Sequence, residues 1–298
     1  MKKLFISLLA ILALGVLASI YEIPLVTKIA TPVKTYIQSR DENNALNKNE
    51  YDISLPLEKL RIAAEAGNAK AQAIIGYKFL IGSGVKRDFT EAIKWLKLAA
   101  EKGDRRGQRG LGAIYLIGLG VNSDYREAYN WFKLAAEQGD AQAQLTVGDM
   151  NLTGDLGTIN RIEAVKWFRL SANQDHPIGQ AHLGGMYLRA MGIKEDLVEA
   201  FKWLKLAASQ ETTFNKEDLD LILIKELSNE YENNNRFDWY KLSFEYTTVI
   251  AIAQRYVGMM YAKGVGTEKD LEQANFWLNK AINLGDEDAK VLIDTLPK

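Results

Sequence analysis

No cysteine occurs among the 298 residues, and histidine occurs only twice, as His176 and His182. Disulfides, thiolate zinc sites and cysteine nucleophiles are thereby excluded, and imidazole chemistry is left two positions six residues apart, off a shared helical face. No His-Glu-x-x-His zinc string, Gly-x-Ser-x-Gly elbow or phosphate-binding loop is present. Neither sign of charge dominates: 37 basic side chains against 38 acidic ones leave a net charge of -1, which excludes a globally basic nucleic-acid binder. These absences lean away from an enzyme and call for no metal or cofactor. Proline is scarce as well, with five in the chain. The 47% hydrophobic and 25% charged shares are those of a folded protein of one or two domains.

Long uncharged runs are also lacking, with one exception. After Met1-Lys2-Lys3, the stretch Leu4 to Ile20 carries no charge. A cationic start, an apolar run and Val16-Leu17-Ala18 as a small-residue cleavage site read as an export signal. The same length is at the short end of a membrane span, so residues 1–20 read as a signal peptide or an N-terminal membrane anchor. Either places the remainder across a membrane, in the periplasm or anchored facing it. No Cys follows, so an N-terminal lipid-modified Cys is excluded. Residues 21–51, with Pro24, Pro32 and Asn43-Asn44, read as a linker.

What is present is a repeat. The six Trp stand at 95, 131, 167, 203, 239 and 277, on one lattice of about 36 residues. Gln72, Gln108, Gln144 and Gln180 keep the same step, as do Gly76, Gly112, Gly148 and Gly184, and Asp88, Asp124, Asn160 and Asp196. Gln254, Gly258 and Asp270 resume the pattern. Each period contains two helices. Ala92, Trp95, Leu96 and Ala99 form one apolar face of the second, and Asp88 with Glu91 has capping-box spacing. Gly103 and Gly139 suit the left-handed position beyond a helix end. The first helix, around Ala71 to Leu80, carries a mid-helix glycine that costs about 1 kcal/mol relative to alanine. Its recurrence predicts close helix approach, with Trp95 as the filler. Repetition assigns Gly82-Ser-Gly84 and Gly264-Val-Gly266 to turns, and pairs such as Asp88/Glu91 to caps rather than acid–base couples.

The stretches Leu111-Gly112 to Val121 and Trp131 to Asp140 carry the string Leu-Gly-x-x-Tyr, Gly-x-Gly-Val, then Trp-x-x-Leu-Ala-Ala-Glu-x-Gly-Asp. This pattern resembles the Sel-one-like repeat, a relative of the tetratricopeptide repeat, over about Asp52 to Asp286. The resemblance implies an all-α, right-handed α/α solenoid that presents a concave surface to a partner, and it implies no chemistry. The expected layout is a half-repeat cap at 52–66, six repeats over 67–284 and a C-terminal cap at 285–298. Residues Gln210 to Thr248 depart from the pattern: they keep Trp239 but have Asp220 and Arg236 where Gly and Ala belong.

Charge is distributed unevenly along the repeats. Gly67 to Gln138 holds 12 basic and 7 acidic residues, whereas Glu211 to Lys298 holds 10 basic and 16 acidic. Because a solenoid maps sequence order onto position, one end is basic and the other acidic. Arg105, Arg106 and Arg109 fall in one turn at the basic end, a cluster suited to carboxylates or phosphates. If first helices line the concave face, as in tetratricopeptide relatives, the candidate partner-binding residues are Lys70, Tyr77, Arg105, Arg106, Arg109, Gln142, Asp149, His182 and Arg255. The expected function is a non-catalytic protein-interaction module of the cell envelope that takes a protein partner with an acidic segment and no nucleic acid. By resemblance to exported relatives, a sharper form is an immunity protein against a secreted toxin. The alternative is a cell-wall glycan-binding or hydrolase-like envelope protein, with Tyr77, Tyr115, Tyr187 and Tyr256 as the aromatics concerned.

Overall fold

Local signals within each period are enough to make a helical hairpin. The structure, a computed structural model, describes residues 53–210 and 246–296. The N-terminal run, most of its linker and most of the departing stretch lie outside the described residues. Twelve helices and no strand are found among the described residues. Helix α1 (Leu57–Glu65) opens the stack. Hairpins follow: α2 (Ala69–Ile81) with α3 (Phe89–Glu101), α4 (Arg105–Ile117) with α5 (Tyr125–Glu137), α6 (Ala141–Thr153) with α7 (Arg161–Ala172) and α8 (Pro177–Leu188) with α9 (Leu197–Ala208). After these come α10 (Tyr246–Lys263) with α11 (Leu271–Asn283), and α12 (Glu287–Asp294) closes the stack. No helix among the described residues is long and apolar enough to cross a membrane.

The caps form as the sequence predicts, on one side. The Asp88 carboxylate accepts from the Thr90 and Glu91 N–H groups at 2.9 and 3.0 Å, and Asp124 and Asp196 do likewise. The reciprocal half of the capping box is replaced. Glu91 accepts instead from the Trp95 indole at 3.0 Å, and Glu199 from Trp203 at 2.9 Å. The Asp88 N–H donates to the Phe79 carbonyl at 3.0 Å, the Asp124 N–H to Tyr115 and the Asn160 N–H to Asn151, both at 2.8 Å. Those carbonyls lie near the end of the first helix, where acceptors lack intrahelical donors, so each such bond closes a hairpin. Gly103 and Gly139, both at φ +84°, take the left-handed position beyond α3 and α5. Pro177 occupies the first turn of α8, where no N–H is required.

The recurring glutamines join one hairpin to the next. Gln72 donates to the Ala64 carbonyl at 2.8 Å, Gln108 to Ala100 at 3.2 Å, Gln144 to Ala136 at 3.0 Å and Gln180 to Ala172 at 3.5 Å, each bond spanning eight residues. Each caps an orphan carbonyl of the preceding helix. The recurring glycines do mark close approach, but the filler differs from expectation. A Cβ at Gly76 would lie 2.5 Å from Leu96 Cγ, at Gly112 3.0 Å from the Phe132 ring, and at Gly148 2.5 Å from Phe168. The residue after each Trp fills the space, because it points squarely at the first helix of its own hairpin. Phe132 and Phe168 are wholly buried.

Five hairpins stack among the described residues; most of the repeat expected between 211 and 248 lies outside them. Gln254 makes the spine bond to the Ala208 carbonyl at 3.1 Å, across 46 residues instead of eight. Lys205 Nζ reaches the Tyr261 hydroxyl at 2.9 Å, as Arg169 reaches Tyr187 at 2.9 Å one hairpin earlier. Gly266 abuts the Leu197 backbone as Gly192 abuts Arg161. Three kinds of junction contact therefore place α10 directly on the α8–α9 hairpin.

Candidate partner-binding face

The first helices carry the positions expected to meet a partner, and the structure divides them. Arg105 is exposed at the start of α4, while Lys70 and Arg106 are half-buried. Tyr77 is wholly buried. Its hydroxyl donates to the Arg106 carbonyl at 3.4 Å, and its phenol occupies the room left by Gly110, where a Cβ would lie 3.0 Å from the Tyr77 oxygen. Arg109 is buried, and its Nη1 donates to both carboxylate oxygens of Asp140, at 2.9 and 3.0 Å. Asp140 in turn caps α6 by accepting from the Ala143 N–H at 2.9 Å. Arg255 repeats the arrangement: its Nε lies 3.3 Å from Asp286, the cap of α12, and its Nη1 pairs with Asp288.

Gln142 and Asp149 are buried as well. Gln142 Oε1 lies 3.0 Å from His176 Nε2, and His176 Nδ1 accepts from the Gly179 N–H at 3.3 Å. His176 thus caps α8 where α2, α4 and α6 use Asn68, Asp104 and Asp140. For Tyr77, Arg109, Gln142, Asp149 and Arg255 the expectation of a partner-facing side chain is corrected. One face of each first helix lies against the next hairpin, and these side chains are engaged there.

His182 is an intermediate case, with 31% of its side chain exposed. Its Nδ1 lies 2.9 Å from the Ile178 carbonyl and its Nε2 3.3 Å from Asp149. Burial disfavours the charged ring, but the Asp149 carboxylate and the Ile178 carbonyl outweigh it, so the imidazole titrates above its ordinary value. A raised folded-state value means the His182–Asp149 link stabilises fully below the unfolded-state value of about 6.5 and is lost as pH rises through the folded-state value. His182→Gln is therefore expected to lower the thermal midpoint most at about pH 5.5, by an amount that shrinks as pH rises above the imidazole's raised value. Melting curves of the two proteins at a series of pH values check this.

No group of three or more His, Cys, Asp or Glu able to hold a metal occurs among the described residues. Tyr115 and Tyr256 are half-buried, and the Tyr187 and Tyr256 hydroxyls accept from Arg169 and Arg189.

The 36-residue hairpin with its Gln, Gly, Trp and Asp positions is matched by the profile of the Sel1 repeat at residues 69–104, 105–140, 141–176, 177–211 and 251–286. The chain belongs to the Sel1 repeat family. The matches omit the stretch between 211 and 251, in agreement with the direct stacking of α10 on the preceding hairpin. Among solved structures it is similar to a Sel1 repeat protein from Oxalobacter formigenes, with a TM-score of 0.61 and 23% identity over 86% of both chains. It is also similar to a protective antigen of uropathogenic Escherichia coli with the same kind of fold, at TM-score 0.53 and 31% identity. That match covers 80% of this chain and 51% of the antigen, so this chain spans about half of its length. No curated protein matches it. Sel1 repeat proteins generally act in protein–protein interaction, as non-catalytic scaffolds.

Sequence reasoning named neither Arg189 nor Ala190, at the end of α8. Gly185, Arg189 and Ala190 stand together there, and the signal was legible: Gly184-Gly185 doubles a glycine that every other repeat has once.

Proposed function

We propose that this Sel1 repeat protein is a non-catalytic scaffold of the cell envelope that binds a protein partner with an acidic segment through its first-helix face. One observation carries the reading. The residues that recur, namely the Gln spine, the close-approach Gly and the cap Asp, are taken up by the stack itself. Selectivity is thereby left to positions that differ between repeats, such as Arg105 and Arg106, whose equivalents are Ala69-Lys70, Ala141-Gln142 and Pro177-Ile178. The basic excess of the first two repeats supports an acidic partner. The export reading of residues 1–20 supports the envelope, and neutralisation of a secreted toxin is the sharpest form of the proposal.

The test is capture from envelope and secreted fractions of the source cell, with the full chain and its Arg105→Glu/Arg106→Glu variant as baits. One dominant protein, recovered at least tenfold less by the variant, is the expected result. Equal recovery by both baits would remove the basic turn from the binding face.

A further inference from the structure

Neighbouring first helices meet at a fixed register, and at the α2–α4 and α6–α8 junctions a side chain fills the pair. Tyr77 packs into the room left by Gly110, and Asp149 reaches His182 at 3.3 Å. At the junction of α8 and α10 the same register sets Gly185 beside Tyr256. No described atom lies within 4 Å of where a Gly185 Cβ would stand. The other glycines within the helices, from Gly76 to Gly258, each have a neighbour at 3.0 Å or less from that point. Gly185 therefore carries the conformational cost of a helical glycine with no packing reason for it among the described residues.

A second local cost lies one turn away. Ala190 holds φ +52°, at the position where Gly82, Gly118, Gly154 and Gly264 end the other first helices. A left-handed alanine is disfavoured, and such departures gather at sites of function. Between the two stands Arg189, which is exposed; its Nη2 donates to the Tyr256 hydroxyl at 3.0 Å. No carboxylate among the described residues pairs with it. Ala181, one turn before Gly185, and Met259, about one turn after Tyr256, are half-buried, and Ile252, one turn before Tyr256, is exposed.

We infer that the notch over Gly185 is a docking point for an extended acidic segment of a protein partner. An apolar side chain of that segment enters over Gly185 and Ala181, against Ile252 and Met259. A carboxylate a few residues away takes the guanidinium of Arg189, whose planar donor array holds carboxylates in a forked geometry. This rests on the protein-binding reading above but uses the α8–α10 junction, where Arg189 supplies a local positive charge at the border of the acidic half, and not the turn of Arg105 and Arg106.

The probe is a panel of fluorescein-labelled heptapeptides, each with one Leu, Phe or Met and one Asp or Glu, one to four residues apart, titrated by anisotropy against the full chain. At least one member is expected to bind. Gly185→Trp, which fills the notch, should weaken it at least tenfold. Arg189→Gln should weaken it about tenfold and abolish its preference over the counterpart with Asn or Gln for the acid. Gly185→Ala should melt at or above wild type and bind within twofold of it, which separates filling from misfolding. Unchanged binding by Gly185→Trp, equal binding of the amide counterparts, or no bound member would overturn the assignment. The protein-binding reading fails separately, in the capture with Arg105→Glu/Arg106→Glu.

Discussion

Arg109→Met is expected to cost the fold about 3–5 kcal/mol, because it leaves the Asp140 carboxylate buried without its counter-charge. The two side chains are only 7% and 5% exposed, and the pair is made through Arg109 Nη1, at 2.9 and 3.0 Å from the two carboxylate oxygens. Water therefore screens it little, unlike the surface pairs Lys94–Glu91 or Lys133–Glu137, whose loss should cost well under 1 kcal/mol. Asp140→Ser keeps a side-chain acceptor for the Ala143 N–H and so isolates the charge from the cap. Each single replacement should lose several kcal/mol, and the double variant Arg109→Met/Asp140→Ser should lose much less than their sum. Urea denaturation of the four proteins completes the cycle. Additive losses would mean that the pair does not act as a unit. Partner capture by these variants would report stability rather than recognition.

Removal of residues 212–249 is expected to leave the solenoid intact and its melting temperature within a few degrees of wild type. The spine bond from Gln254 to Ala208 spans 46 residues where the other junctions span eight, so taking out those 38 restores the common spacing. Removal of residues 141–176 keeps the period equally well, but it takes away one stacked hairpin and one interface. In a nearest-neighbour stack that loss amounts to several kcal/mol, or roughly 10 °C. Thermal melts followed by far-ultraviolet circular dichroism compare the two deletions. A collapse of the 212–249 deletion, with the other tolerated, would make the departing stretch an integral repeat.

Much of the architecture was legible because its causes are local. Asp88 and Glu91 are three residues apart, Gly103 sits at a helix end, and Ala92, Trp95, Leu96 and Ala99 share a face within one helix. Caps, turns and apolar stripes of this kind act within a single hairpin, so a 36-residue period states them directly. The finer details already needed the fold. Glu91 had two donors within reach, and the Trp95 indole took it. Leu96, and not Trp95, proved to face Gly76, since adjacent residues on a helix point some 100° apart.

The candidate face was less legible. Arg105, Arg106 and Arg109 look alike in sequence, yet Arg105 is exposed and Arg109 is buried against a cap in the next hairpin.

The sequence by itself determined the period, the two helices of each repeat, their ends and the family, since each depends on residues within a few turns of one another. The tertiary structure alone decided which first-helix side chains are spent on the neighbouring hairpin and which hairpin that neighbour is. Those outcomes rest on pairs such as Arg109 with Asp140, Gln142 with His176 and Ala208 with Gln254, 31, 34 and 46 residues apart. Burial of one side chain by another at that separation depends on how the hairpins stack, and the period is the same whether such a position is covered or open.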